Sequence, residues 1–196
     1  TRNTFKADPE IFKETDHYEY EVLQARLREQ AFLNAGVKIV LIDSRDAENP
    51  REDVFSYEGG IKSFVEYIHK KRGLSGIHDD IIDFSGTLSD GTSSGEVAFQ
   101  YNDSYNSLIL SFANNIHTVD GGTHEDGFKR AITKVINEYA KKYNLLKDSD
   151  KKFSGDDVRE GLTAIISVKV RNAQFEGQTK TRLGNTEIRG FIDGLI

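Results

Sequence analysis

The chain has 196 residues, enough for one domain with a real core or two small ones. Its make-up is that of a soluble globular protein: 30 % charged, 37 % hydrophobic, with 12 Phe and 8 Tyr. A net charge of −6 excludes a uniformly polycationic surface, and zero Cys excludes disulfides, thiolate metal sites and thiol catalysis. No apolar stretch approaches the roughly 18 residues of a membrane span, and no signal peptide is visible. The lack of Cys fits a cytosolic protein. A start at Thr1 without Met reads as a trimmed or excised piece.

The first helix is expected over 18–34, with Asp16 as N-cap and Glu19 three residues on. Tyr20, Leu23, Leu27 and Ala31 share a stripe, and Gly36 ends the helix. "VKIVLI" (37–42) reads as a strand buried on both faces, 43–53 as a charged loop, and "VFSY" (54–57) as a short returning strand. Gly59-Gly60 marks a break and a candidate domain boundary. Beyond it Ile61, Phe64, Val65 and Ile68 carry helical spacing, closed by "HKKRG".

Three strands are expected next, near 77–84, 95–101 and 107–116. "SGTLSDGTSS" (85–94) reads as a flexible connector and "NDSYN" (102–106) as a hairpin turn. Val97, Phe99 and Tyr101 share one strand face; Leu108, Leu110 and Phe112 share another. A long helix follows, capped by Thr123, with Phe128, Ala131, Ile132, Val135, Ile136 and Tyr139 as its apolar stripe. "SGDDVRE" (154–160) reads as a short capped helix whose Arg159 and Glu160 form an ion-pair corner. "LTAIISVKV" (162–170) is a strand. Asn185 can cap a last helix carrying Ile188, Phe191, Ile192 and Leu195, a pattern that reads as cut inside or near a longer helix. The order of elements predicts an α+β fold with a largely antiparallel sheet.

Chemistry concentrates in "QFEGQTKTRLGN" (174–185). "GQTKT" is no P-loop, because the glycine spacing around the Lys fails. Two readings stay open: a polar surface loop, or a loop in which Lys180 meets a phosphate as a point charge with Gln178 as a neutral donor beside it. The five histidines form no metal spacing. "NNIHTVDGGTHEDGF" (114–128) offers turn chemistry or an anion site at a helix start; Asp120, Glu125 and Asp126 oppose the anion. Lys129, Arg130 and Lys134 form a basic cluster, either a solvated face or a nucleic-acid contact.

"RLREQAFLNAGVKIVLIDSRD", "YEGGIKSFVEY", "NNIHTVDGGTHEDGFK", "DDVREGLTAIISVKV" and "QFEGQTKTRLGN" occur in this order. Together they resemble the family of the bacterial DNA gyrase B subunit, with its paralogue, the ParE subunit of topoisomerase IV, nearly as similar. The family's Glu/Asn helix, DxGxG loop and Gly-rich lid are not found in the chain. The resemblance implies that 1–58 are the trailing part of a GHKL-type ATPase domain. Residues 59–196 would be most of a transducer domain, with a ribosomal-protein-like fold and a left-handed βαβ crossover. It implies that Lys180, with Gln178 and Thr179, contacts the γ-phosphate of ATP bound with Mg2+ by the neighbouring domain. It implies Lys129 and Arg130 facing double-stranded DNA, a partner A subunit, and an intact B subunit that dimerises on ATP. On this reading the isolated chain neither binds nor hydrolyses ATP. A stand-alone nucleic-acid-binding module is the alternative of another class.

Overall fold

The computed structural model describes residues 1–15, 17–147 and 150–196. It divides into two compact units, Thr1–Gly60 and Ile61–Ile196.

In the first unit, helix α1 (Tyr20–Phe32) covers an antiparallel pair, β1 (Lys38–Asp43) and β2 (Arg51–Ser56). The expected cap Asp16 lies outside the described residues; the N-cap position is Glu19, which makes no side-chain cap bond. Strand β1 is not buried on both faces. Ile39 and Leu41 are half-buried, whereas Val40 and Ile42 are exposed, and Val40 lies opposite exposed Val54 of β2. A two-stranded ribbon with α1 on one side leaves its other side open, so alternation replaces double burial. β2 begins at Arg51, earlier than expected, because Asp53 accepts hydrogen bonds from Tyr20 (2.5 Å) and Gln24 (2.8 Å) of α1. Burial, then the bond to Asp53, pushes the Tyr20 hydroxyl up to about 12.

The second unit opens with α2 (Ile61–Arg72), whose Ile61, Phe64, Val65 and Ile68 are buried as the spacing predicts. A five-stranded sheet follows, in the order β3 (Ile82–Thr87), β4 (Ser93–Tyr101), β7 (Leu162–Val170), β5 (Leu108–Ala113), β6 (Ile116–His117). Helices α3 (Thr123–Lys142), α4 (Gly155–Arg159) and α5 (Thr186–Leu195) complete it. All pairs are antiparallel except β5–β7. The parallel pair is joined by a crossover through α3 and α4, giving a βαβ connection within an α+β fold.

Three expectations change here. Residues 77–81 do not open β3, which starts at Ile82 and sets Phe84 against Val97. Residues 85–94 are no flexible connector: the β3–β4 ladder runs to Thr87–Ser94, and Asp90 closes the tight turn through Thr92 (2.9 Å). "NDSYN" is not a hairpin turn, because β4 and β5 are not neighbours. The 102–107 segment arches over the start of β7, and Asn102 N–H donates to the Gly161 carbonyl at 2.8 Å.

Alternation along β7 sorts the core. Leu162, Ala164, Ile166 and Val168 join Val97, Phe99, Phe128, Ile132, Ile188 and Ile192 in one cluster, under α3 and α5. On the opposite face Phe64 of α2 meets Phe112 at 6.1 Å between ring centroids. The stripe of α3 is buried at Phe128, Ala131 and Ile132 but emerges at Val135 and Tyr139, which are exposed. Helix α4 is closed by a reciprocal capping box between Ser154 and Asp157. Arg159 pairs with Asp156 (2.8 Å), not with Glu160, since residues three apart share a helix face and adjacent ones do not.

Candidate functional site

β7 is the inner strand of the sheet and runs directly into the 174–184 segment. That segment is a small hairpin. Phe175 pairs antiparallel with Leu183, Glu176 N–H donates to the Arg182 carbonyl (3.0 Å), and Gly184 N–H donates to the Gln174 carbonyl (2.8 Å). Phe175 packs against the core and Leu183 is fully buried. Asn185 stands at the N-cap position of α5, but its side chain does not cap the helix. It grips the hairpin base instead, accepting from Gln174 N–H (2.7 Å) and donating to the Asn172 carbonyl (3.2 Å).

At the tip, Gly177, Gln178, Thr179 and Lys180 are all exposed. Lys180 N–H donates to the Gly177 carbonyl (3.2 Å), and Lys180 itself sits in the left-handed region at φ 56°. A β-carbon there costs energy, and such strain is held only by surroundings that over-determine it. The Lys180 ammonium lies 5.8 Å from the Phe175 ring centroid. Among the described residues it has no carboxylate within ion-pair distance.

The outer arm of the hairpin is sewn to the start of α3. Asp120 N–H donates to the Thr181 carbonyl (2.9 Å), Leu183 N–H to the Gly121 carbonyl (3.2 Å), and Thr123 N–H to the Leu183 carbonyl (3.0 Å). Thr123 is therefore the first helical residue and not the cap; the N-cap is Gly122, at φ 137°. A β-carbon on Gly122 would lie 2.4 Å from the Leu183 carbonyl oxygen, so only glycine admits this contact. With the hairpin's backbone across it, this helix start is not an anion cradle.

Carboxylates at the same end have other work. Glu125 accepts from the Ser111 hydroxyl (2.8 Å) and pairs with Lys129 (2.6 Å). Arg182 donates to the Asp120 carbonyl (2.8 Å), to Glu176 (3.2 Å) and to Asp126 (3.4 Å); Asp126 also meets Arg189 of α5 at 3.5 Å. Beneath them His124 has no exposed surface. Its Nε2 faces the Thr118 hydroxyl at 3.1 Å, its Nδ1 has no partner, and burial holds the imidazole down to about 4.

Gln178, Thr179 and Lys180 thus share the exposed tip, while the other predicted cations sit on α3 with carboxylates beside them. Lys129 is tied to Glu125, and Arg130 lies 3.5 Å from Asp193 of α5. Both line a groove along α3 that also carries Lys134, Lys147 and Lys152, together with Glu138 and Asp150. Sequence reading passed over Arg182, weighed Asp126 only as a charge opposing an anion, and weighed His124 only as a metal ligand. Its one usable signal was charge contrast: acidic "VDGGTHED" against basic "TKTR".

The fold is that of about half the length of the ATPase regions solved for gyrase B and topoisomerase IV. A topoisomerase IV ATP-binding domain from Francisella tularensis superposes with TM-score 0.71 at 26 % identity, over 92 % of this chain and 46 % of its own. The 43K ATPase domain of Thermus thermophilus gyrase B, solved with an aminocoumarin, superposes with TM-score 0.81 at 38 % identity, over 96 % of this chain and 49 % of its own. The family model for DNA gyrase B matches residues 60–196, and the chain belongs to that family. It is 55 % identical to the DNA gyrase B protein of Clostridium acetobutylicum over all 196 residues, which is 30 % of that protein's length. The chain therefore spans about a third of the curated relatives it matches. Among the described residues no helix is long and apolar enough to cross a membrane.

Proposed function

We propose that this chain is part of an ATP-dependent type II topoisomerase, the B subunit of a gyrase, and that its 174–184 hairpin senses the terminal phosphate of ATP. Residues 1–58 would then be the trailing part of a GHKL-type ATPase domain and 59–196 a transducer domain. The observation that carries the reading is Lys180. It is exposed, lacks a carboxylate partner among the described residues, and is held at φ 56° on a braced hairpin. A cation so presented is a point charge awaiting an anion.

ATP with Mg2+ would supply the phosphoryl group to be transferred. Lys180 would neutralise charge on the γ-phosphate as it develops, with Gln178 and Thr179 donating alongside. When the phosphate leaves, Lys180 loses its partner, and that loss can release a rigid-body rotation of one domain against another. Nucleotide binding would in this way close a dimeric clamp on double-stranded DNA and, with the A subunit, change its supercoiling in the cytoplasm. The surface best suited to DNA is the groove along α3. Lys134, Lys147 and Lys152 suit it better than Lys129 and Arg130, which already face carboxylates.

The test is Lys180→Ala in the full-length subunit. ATP turnover falls by about 100-fold or more, the loss typical of removing one transition-state contact, while nucleotide binding changes by a few fold. Near-normal turnover refutes the assignment. The isolated 196-residue chain is expected to bind no ATP by calorimetry.

A further inference from the structure

We propose that Arg182 is the positioning residue of this site: it fixes the hairpin at the angle that aims Lys180. The inference rests on the reading that Lys180 meets a phosphate. Lys180 cannot aim itself, because its tip contacts are one turn hydrogen bond and one aromatic face.

The guanidinium of Arg182 reaches three separate segments. Nε donates to Glu176 on the other arm of the hairpin, at 3.2 Å. Nη1 donates to the Asp120 carbonyl in the loop before α3, at 2.8 Å. Nη2 reaches Asp126 in the first turn of α3, at 3.4 Å. A planar fork with five donors in fixed directions can satisfy acceptors on three sides at once, which an ammonium cannot do with the same geometry. The bond to Asp120 is charge-assisted and stronger than a neutral one.

Backbone bonds alone leave one motion free. The three pairings from residues 181–183 to 120–123 run along a single edge. The arms are also bonded to each other, by Glu176 N–H to the Arg182 carbonyl and Gly184 N–H to the Gln174 carbonyl, so it is the hairpin as a unit that can hinge about the α3 edge. Arg182 closes that hinge from the side, tying Glu176 of the far arm to the loop before α3 and to its first turn. Asp126 extends the tie to α5, because Arg189 shares the same carboxylate oxygen. The backbone edge thus holds the hairpin to α3, and one side chain two residues from Lys180 sets its angle against α3 and α5.

The experiment compares full-length subunits carrying Arg182→Gln, Arg182→Lys and Lys180→Ala. Turnover and KM for ATP are measured, with amide exchange of peptides covering 174–184. Arg182→Gln is expected to lower kcat about tenfold with KM changed less than threefold, and to speed exchange in those peptides. Arg182→Lys is expected to recover part of both losses, since an ammonium keeps the charge and some donors. If Arg182→Gln does not fold, Arg182→Lys must itself show a lowered kcat at similar KM. The inference is overturned if Arg182→Gln turns over within twofold of wild type while Lys180→Ala does not. It is equally overturned if exchange rises but kcat does not fall, which would make Arg182 a structural brace only. Lys180→Ala at the wild-type rate would defeat the phosphate reading, and the inference with it.

Discussion

At the tip of the 174–184 hairpin, four consecutive residues stand exposed and one is held at φ 56°. Three residues further on, Leu183 has no exposed surface, and its backbone is bonded on both sides, to the first arm of the hairpin and to the start of α3. The footing bonds its polar backbone on both sides and buries its apolar side chains; the tip has one turn bond, from Lys180 N–H to the Gly177 carbonyl, and buries nothing. The difference teaches what strain needs. A left-handed lysine costs roughly 1–2 kcal/mol, and a hairpin anchored only by itself would relax it. The cost is carried by Phe175, Leu183 and the α3 bridge.

Variants at the two places should therefore fail in different ways. The largest effect is expected from Lys180→Ala: turnover lost by about 100-fold or more, with the melting temperature unchanged. A drop in melting temperature of several degrees would mean that the tip also supports the fold. Next comes Gly122→Ala, whose new β-carbon meets the Leu183 backbone at 2.4 Å. It should destabilise by about 3 kcal/mol in denaturant unfolding, combining overpacking with backbone strain. A loss below about 1 kcal/mol would show the α3 bridge to be loose.

The footing should also feel pH through His124. Its folded value of about 4 lies below the usual histidine value, so the unfolded chain takes the proton first. The stability it contributes is complete above the unfolded value and is lost as pH falls toward 4. Between pH 7 and 4 wild type should lose ~3 kcal/mol more than His124→Gln. Parallel pH profiles for the two proteins would contradict a buried neutral imidazole.

Smaller still is Lys180→Gly against Lys180→Ala. Glycine should be the more stable by about 1 kcal/mol, because only the alanine keeps the left-handed cost. Equal stabilities would deny the strain at the tip. Smallest is Lys129→Ala. Its half-exposed pair with Glu125 should change stability by at most about 0.5 kcal/mol.

Local patterns in the sequence announce the elements well where they depend on neighbours. Ile61, Phe64, Val65 and Ile68 predict α2, and "SGDDVRE" predicts the short capped helix α4. They fail where a distant strand decides. "NDSYN" has the composition of a hairpin turn, but the place beside β4 is taken by β7, which lies far on in the chain; Asn102 and Thr163 meet across 61 residues. Likewise 37–42 is apolar enough for double burial, yet its surroundings within the first unit cover one face only. The site divides in the same way. Lys180 with Gln178 and Thr179 is legible as a motif. Arg182 is not, because its acceptors at 120 and 126 come from another element, and nothing at 182 names them.

The central position of β7 has a consequence for how the protein is made. Its two neighbours, β4 and β5, both precede it in the chain and do not pair with each other, so they hold open a slot. Filling that slot closes a long loop, an entropic cost met before the contacts reward it. The hairpin and α5 follow β7 directly and stand on it. On a chain emerging from its N-terminus, the hairpin that carries Lys180 is thus assembled after β4 and β5, and a copy of this unit that has not placed β7 has no footing for it.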